Sequence, residues 1–320
     1  MFAASIAFMI SGARPAHVSL RSSIGRPLND SAGDIPQLYE RPAHSADLIV
    51  DWTEFAFAAM TSAVGAIGGL GGAVLLVPLL VLTGTSARAA APLGLVSVAA
   101  GSSAAGVRQL GNGLVNHRIG ISTELFASFG AVTGALASGL ASDRALKLVL
   151  AVVAFASGVL GARRKGMRNQ PDPSLTADDL GEHIGSLSGV YQLGDGFVPY
   201  RARRLRAGAA LFWISGVIAG LAGAGGGFVK TPATSEVMHV PVRVAAATTT
   251  FTIGVTAAAG LIVFALQGRL DVTACAAVCA GSIVGASAGA AVQSRLAPPQ
   301  VRQFLSVALI VIAIVLVVRA

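Results

Sequence analysis

The chain has 320 residues, a formal charge of +8 and a mean hydropathy of +0.72, with 54% of residues apolar and only 12% charged. Soluble domains carry about a quarter charged residues, so this composition argues against a soluble enzyme and for a chain solvated by lipid. The basic residues gather in short polar segments between apolar runs, a membrane-topology pattern with no basic face for nucleic acid.

Residues 1–46, rich in Arg, Pro, Ser and Asp, read as a flexible N-terminal leader. Their one apolar stretch, residues 2–10, is too short to span. A first transmembrane repeat is expected over residues 47–162. It opens with an apolar run, 48–84, far longer than the roughly 20 residues a span needs, and broken by Gly68-Gly69-Leu70-Gly71-Gly72. Apolar segments 90–107, 121–141 and 146–162 follow.

The polar stretch 163–206 has Arg163, Arg164, Lys165 and Arg168 at its start and Arg201, Arg203, Arg204 and Arg206 at its end. Basic clusters beside two membrane exits place this loop in the cytoplasm. Within it, Leu193-Gly194-Asp195-Gly196-Phe197 has Asp-Gly turn chemistry, which suits either a small hairpin or a solvated linker.

A second repeat, 207–320, has segments 207–240 (again glycine-broken), 244–266, 272–292 and 304–318. Cys275 and Cys279 share one helix face and read as small buried hydrophobes, with no further zinc ligands near them. The expected fold is an all-α membrane protein: a polytopic helical bundle of two homologous four-span halves, each with a glycine-broken first helix.

Superposing the halves gives an ordered series of matches. Gly69, Gly71 and Gly72 fall on Gly223, Gly225 and Gly226, and Pro78 falls on Pro232. One residue later in the second half, Arg88 to Ala91 match Arg243 to Ala246, Gly113 matches Gly268 and Asn116 matches Asp271. Gly130 and Gly134 are matched to Gly281 and Gly285, and their four-residue spacing suits close helix packing. Duplication with a discontinuous helix in each copy is the signature of secondary transporters. Backbone groups freed by a glycine–proline break at bilayer depth must be satisfied by protein, water or ligand. A half-helix starting there offers N–H groups and a positive dipole end to an anion.

At these residues the chain resembles the sulfite exporter TauE/SafE family of membrane permeases. The pattern is a Gly-x-Gly-Gly-Gly-like break, an apolar stretch and a proline. Here it reads Gly69-Leu70-Gly71-Gly72-Ala73 to Pro78, and Gly223-Ala224-Gly225-Gly226-Gly227 to Pro232. An Ala-x-x-Thr start to the next helix fits at Ala246 to Thr249; Ala91 to Gly94 lacks the hydroxyl. The resemblance covers residues 50–320 and implies movement of small sulfur-containing anions such as sulfite or sulfonates. Where the family carries aliphatic residues, this chain has Phe228-Val229-Lys230-Thr231-Pro232, a lysine at membrane depth.

The expected function is a membrane transporter that moves a small anion, sulfite or an organosulfur anion, by alternating access and with proton coupling. A non-transporting membrane scaffold or assembly factor is the alternative from another class, and a metal-ion transporter is disfavoured by the scarcity of acids in the spans. Ligand contacts are expected from Gly69, Gly71, Gly72, Gly225, Gly226, Gly227, Lys230, Thr231, Thr248 and Thr249, with Lys230 the sharpest candidate. Snorkelling, or a structural pair with Glu236, is the competing reading of Lys230. His239 reads as a loop histidine or a proton carrier; Glu124 reads as a first-turn acid favoured by the helix dipole or as a proton carrier. Asn112, Asn116 and Asp271 are expected to be exposed near loops.

No nucleophile–base set, metal ligand cluster or cofactor motif appears in the sequence. The expected setting is a bacterial inner membrane, with lipid as the solvent and a homo-oligomer open. Two topologies also stay open. Four spans per half make the repeats parallel, whereas a broken segment that folds back as a hairpin gives five elements per half and inverts them.

Overall fold

The computed structural model describes residues 52–68, 72–111, 113–163, 187–193, 196–292 and 298–319. The leader and most of the polar stretch after residue 163 lie outside the described residues. In chain order the helices are α1 (Trp52–Gly68), α2 (Ala73–Leu82), α3 (Ala87–Gly111), α4 (His117–Leu140) and α5 (Asp143–Arg163). A two-stranded hairpin, β1 (Ser188–Leu193) and β2 (Gly196–Arg201), precedes α6 (Leu205–Ala222) and the short α7 (Gly227–Pro232). A π-helical turn (Ala233–Val237) leads to α8 (Val242–Leu266), α9 (Val272–Val292) and α10 (Pro298–Val318). Of the two readings of the Asp-Gly stretch, the hairpin is the one adopted.

Among the described residues, six helices, α3, α4, α5, α6, α8 and α9, are long and apolar enough to cross a membrane. Their outward faces carry large apolar side chains. Along α4, Ile121, Leu125, Phe129, Leu136 and Leu140 are all exposed, as are Val307, Val311, Ile314 and Val318 on α10. In water such stripes would be a liability; against lipid tails they are the ordinary surface. Two of the closest helix contacts are made instead through small residues. Gly130 and Gly134 of α4 abut the backbones of Trp213 and Val217 on α6, and Gly216 and Gly220 of α6 abut Ala127 and Ala131 in return. Gly281, Gly285 and Gly289 of α9 lie on the carbonyls of Phe55, Ala59 and Ala63 of α1 in the same manner. Each pair is parallel, and the absence of Cβ atoms lets the backbones meet.

The expected four-span halves need correction at the glycine breaks. A Cβ on Gly72 would lie 2.6 Å from the Ser62 Cα, so the chain after the first break turns back along α1 instead of continuing across. At the far end of α2, the Leu82 carbonyl accepts from Arg319, just past α10, at 3.2 Å. The second break does the same: the Ser215 hydroxyl donates to the Gly226 carbonyl at 2.8 Å, and Arg203 N–H, just before α6, donates to the Met238 carbonyl at 2.9 Å. The cause is local. Gly223 and Gly225 both have φ of +66°, and two left-handed residues in three reverse the chain, which an L side chain resists. Among the described residues, five helices therefore follow one another on each side of the hairpin, the first two of each set folded back on themselves.

The direction of these sets follows from packing. α4 and α8 run parallel, with Gly120 against Thr248 and Thr252, and Gln267 donating to the Ala135 carbonyl at 3.4 Å. α9 reverses after α8 through Gly268, whose φ is +65°. Hence α9 with its partner α1 runs opposite to α4 with its partner α6. At the centre α3 and α8 cross antiparallel, Leu95 facing Gly260 and Ser102 facing Gly254. The second break rests on α3: added Cβ atoms on Gly94 and Gly223 would collide with each other's segments, at the Gly223 and Ala91 carbonyls.

Candidate functional site

Along α4, Asn116 (its N-cap), Gly120 and Glu124 recur every four residues and so share a face. Opposite them on α8 stand Thr248, Thr252 and Thr256 at the same spacing. Asn116 N–H donates to Thr248 Oγ1 at 3.0 Å, while the Asn116 side chain accepts from Ile119 N–H at 3.0 Å and caps the helix. Its amide also donates to the Tyr200 hydroxyl at 2.9 Å, fixing the hairpin over this end of the bundle. Asn116 is thus 2% exposed, contrary to its expected place in an open loop, because three elements converge on it. Asp271 does cap α9 from an exposed position, accepting from Thr273 N–H at 3.0 Å. Gly120 makes room for Thr252, whose buried hydroxyl has no hydrogen-bond partner among the described residues.

One turn further on, Glu124 meets Thr256. The Thr256 hydroxyl and backbone N–H both donate to Glu124 Oε1, the latter at 3.1 Å. Lys230 reaches the same point from α7. Its ammonium donates to Glu124 Oε1 at 2.8 Å, to Oε2 at 3.0 Å and to Thr256 Oγ1 at 2.6 Å, and it lies 5.5 Å from the centre of the Phe212 ring of α6. Lys230 is 0% exposed and Glu124 3%. This ion pair joins residues 106 apart in sequence. It replaces both readings that set Lys230 at an interface or against Glu236, which is exposed within the π-helical turn. Glu124 is also two turns into α4 and not in its first turn, so the dipole reading for it falls away.

The remaining expected contacts divide. Gly69 and Gly71 lie outside the described residues. Gly72 is packed on Ser62, Gly225 on Val98 and Gly226 on the Ser215 hydroxyl, close approaches that only a missing Cβ permits; Gly227 opens α7. Thr231 and Thr249 share a hydrogen bond of 3.0 Å beside Lys230 in the chain, while Thr248 faces Asn116 instead. His239 is exposed, with φ of 57°. Where α1, α3 and α9 meet, a smaller hydroxyl cluster is buried: Ser97 accepts from Ser282 at 2.8 Å and lies 3.3 Å from the Ser62 hydroxyl.

Two participants went unsingled as partners by sequence reasoning, Glu124 for Lys230 and Thr256 for both. A signal for the first existed. Glu124 is the sole charged residue in the apolar run 121–141, and Lys230 the sole Lys or Arg in 207–240. Two lone opposite charges at depth are each expensive unless they find one another. Thr256 carries no such mark beyond its four-residue step from Thr252.

At the opposite face a shallow pocket is lined by Arg88, Leu136, Gly139, Leu140, Gln267 and Arg269. Arg269 donates to Ser138 Oγ at 2.7 Å and to the Arg88 carbonyl at 2.6 Å, and stacks over Phe264 at 4.4 Å. Burial first, and the charge of Arg88 second, press its guanidinium below the ordinary arginine value. These cations are spent on carbonyls at helix ends, which makes them a brace for the rim.

A family model described as sulfite exporter TauE/SafE matches residues 55–316. No curated protein and no solved structure matches the chain. With helices of membrane-crossing length on both sides of the hairpin, the protein is a multi-pass α-helical membrane protein of a transporter family. The chain belongs to the sulfite exporter TauE/SafE family.

Proposed function

We propose that the protein carries a small sulfur oxyanion, sulfite or a sulfonate, across a cell membrane by alternating access of two homologous, inverted halves, α1–α5 and α6–α10. The observation that carries the reading is the buried lysine on the folded-back segment after the second glycine break, within a chain of this family. A membrane scaffold has no use for a charge whose burial costs several kcal/mol.

The packing supports the repeat. α1 lies on α9 as α6 lies on α4, and α3 on α9 as α8 on α4. The capping residues Asn116 and Asp271 occupy matched positions in the two halves. Packing favours a register one turn later than spacing alone suggests for one pair of glycines. Gly130 meets the Trp213 carbonyl, and Trp213 matches Ala59, whose carbonyl is met by Gly285, whereas Gly281 meets the Phe55 carbonyl. Gly130 and Gly134 then correspond to Gly285 and Gly289. Inverted halves crossing at α3 and α8 are the arrangement in which rocking exposes a central site to each side in turn.

Lys230, Thr231, Thr249 and Thr256 are the proposed substrate contacts, with the glycines of the breaks acting through close packing. The hairpin end is assigned to the cytoplasm and proton coupling to the carriage. The reading is tested with purified protein in liposomes, following uptake of sulfite and of methanesulfonate. Protein-dependent flux of either, reduced at least about tenfold by Lys230→Ala (the loss of some 1.4 kcal/mol of substrate interaction), supports it. Absence of flux from folded protein leaves the scaffold reading standing.

A further inference from the structure

We propose that the Glu124 carboxylate is a resident stand-in for the transported anion, and that substrate replaces it at Lys230 and Thr256 while Glu124 takes up a proton. This rests on the transport reading and adds the residue that couples it to protons.

An ammonium has three N–H groups. Those of Lys230 are all engaged, two by Glu124 and one by Thr256. No donor is left for a substrate, so Lys230 contacts an anion only after Glu124 withdraws. Withdrawal as a carboxylate would strand a buried charge without its partner, which is the expensive way to break such a pair. Withdrawal as a carboxylic acid strands nothing. A proton bonds to a carboxylate oxygen, the neutral side chain leaves, and the incoming monoanion inherits the positive partner. The site holds one positive and one negative charge before and after, so one proton and one monoanion travel together.

The vacated contacts suit an oxyanion. They are the two Lys230 N–H groups, the Thr256 hydroxyl and the Thr256 backbone N–H, all now directed at carboxylate oxygens. A sulfonate or sulfite offers three oxygens to the same donors.

Among the described residues, Glu124 is the one acid that faces Lys230. Among the neighbouring elements, α6 and α8 carry single charged residues, Arg206 and Arg243, both in their first turns. On α5 the described charges near the other membrane face are Asp143, Arg144 and Lys147, and Glu236 of the π-helical turn is exposed. Phe212 presents only its ring. In the register of the two halves, Leu76, Cys279 and Gly101 stand where Lys230, Glu124 and Thr256 do. The fold therefore packs this position without charges in its other half, and the pair is not a requirement of the architecture.

The test uses the full chain in liposomes with an imposed pH gradient and no initial anion gradient. Labelled methanesulfonate, whose charge does not change with pH, is the first probe and sulfite the second. The wild type is expected to concentrate the probe on the alkaline side, by up to about tenfold per pH unit for one-to-one coupling. Glu124→Gln is expected to lose this accumulation while still exchanging labelled for unlabelled anion. Should the variant fail to fold, the wild type in detergent decides: methanesulfonate affinity is expected to fall about tenfold per unit of rising pH. Accumulation by Glu124→Gln equal to the wild type, downhill flux with no response to the gradient, or pH-independent binding each overturns this inference alone. No flux of either anion by the wild type overturns the transport reading and this inference with it.

Discussion

Lys230 and Glu124 illustrate why a buried charge is read through its partners. Taking an ammonium out of water costs several kcal/mol even after relaxation, and here the return comes from a carboxylate held by both oxygens and from a threonine hydroxyl. Glu124→Gln removes the countercharge and leaves the cation in place. It is expected to lower stability by about 3–5 kcal/mol, whereas Glu124→Gln combined with Lys230→Met removes both charges and should recover most of the loss. Thermal unfolding in detergent, followed by tryptophan fluorescence, separates these outcomes; a double variant no more stable than Glu124→Gln would mean that the pair supports packing beyond its own charge. Thr252 is the complementary case. Its hydroxyl is buried and unpartnered among the described residues, so the isosteric Thr252→Val loses no hydrogen bond and should be neutral or stabilising by about 1 kcal/mol. A clear fall in melting temperature would instead reveal an ordered water or ion on that hydroxyl.

At the scale of elements, helix pairing is governed by where Cβ atoms are missing. A methyl on Gly216 would meet the Ala127 carbonyl, which is backbone and cannot swing aside, whereas a methyl on Gly101 would meet only the Ala286 Cβ at 3.7 Å. Gly216→Ala should therefore destabilise by about 1–3 kcal/mol through separation of α4 and α6, and Gly101→Ala should be close to neutral. Comparative melting curves check the contrast, and equal losses would refute it. The spans themselves were legible in sequence because an apolar run of span length has one economical backbone, the helix. The glycine contacts at 130, 134, 281 and 285 were legible from their spacing. The reversal at each break was not. A glycine cluster signals that the helix stops but carries no record of which way the chain then goes; that depends on the left-handed turn at Gly223 and Gly225 and on the fit of Gly226 against Ser215. The site was half legible for a related reason. Lys230 stood out by its own depth, while its engagement by Glu124 depends on α4 and α8 lying in parallel register across more than a hundred residues of chain.

For the whole molecule, the folded-back breaks decide the topology, and the two arrangements place one loop on opposite sides of the membrane. If each broken segment crossed the bilayer, the turn between α8 and α9 would emerge on the same face as the β-hairpin. With α6 and α7 returning to the face they left, α8 becomes the first crossing after the hairpin, and that turn emerges opposite. The hairpin face carries Arg118, Arg201, Arg203, Arg204, Arg206 and Arg243, joined in sequence by the cluster from Arg163 to Arg168, and this charge bias is the basis of its proposed cytoplasmic placement. Two single cysteines test this in a background where the half-buried Cys275 and Cys279 are replaced by serine. Arg201→Cys, at the end of β2, is expected to react with an impermeant maleimide only after the cells are opened. Thr273→Cys, exposed in the first turn of α9, is expected to react from outside intact cells. Protection of both until lysis would restore the parallel four-span arrangement. It would also remove the inverted symmetry on which the proposed alternating access rests, since two parallel halves present the buried Lys230 site to the same face.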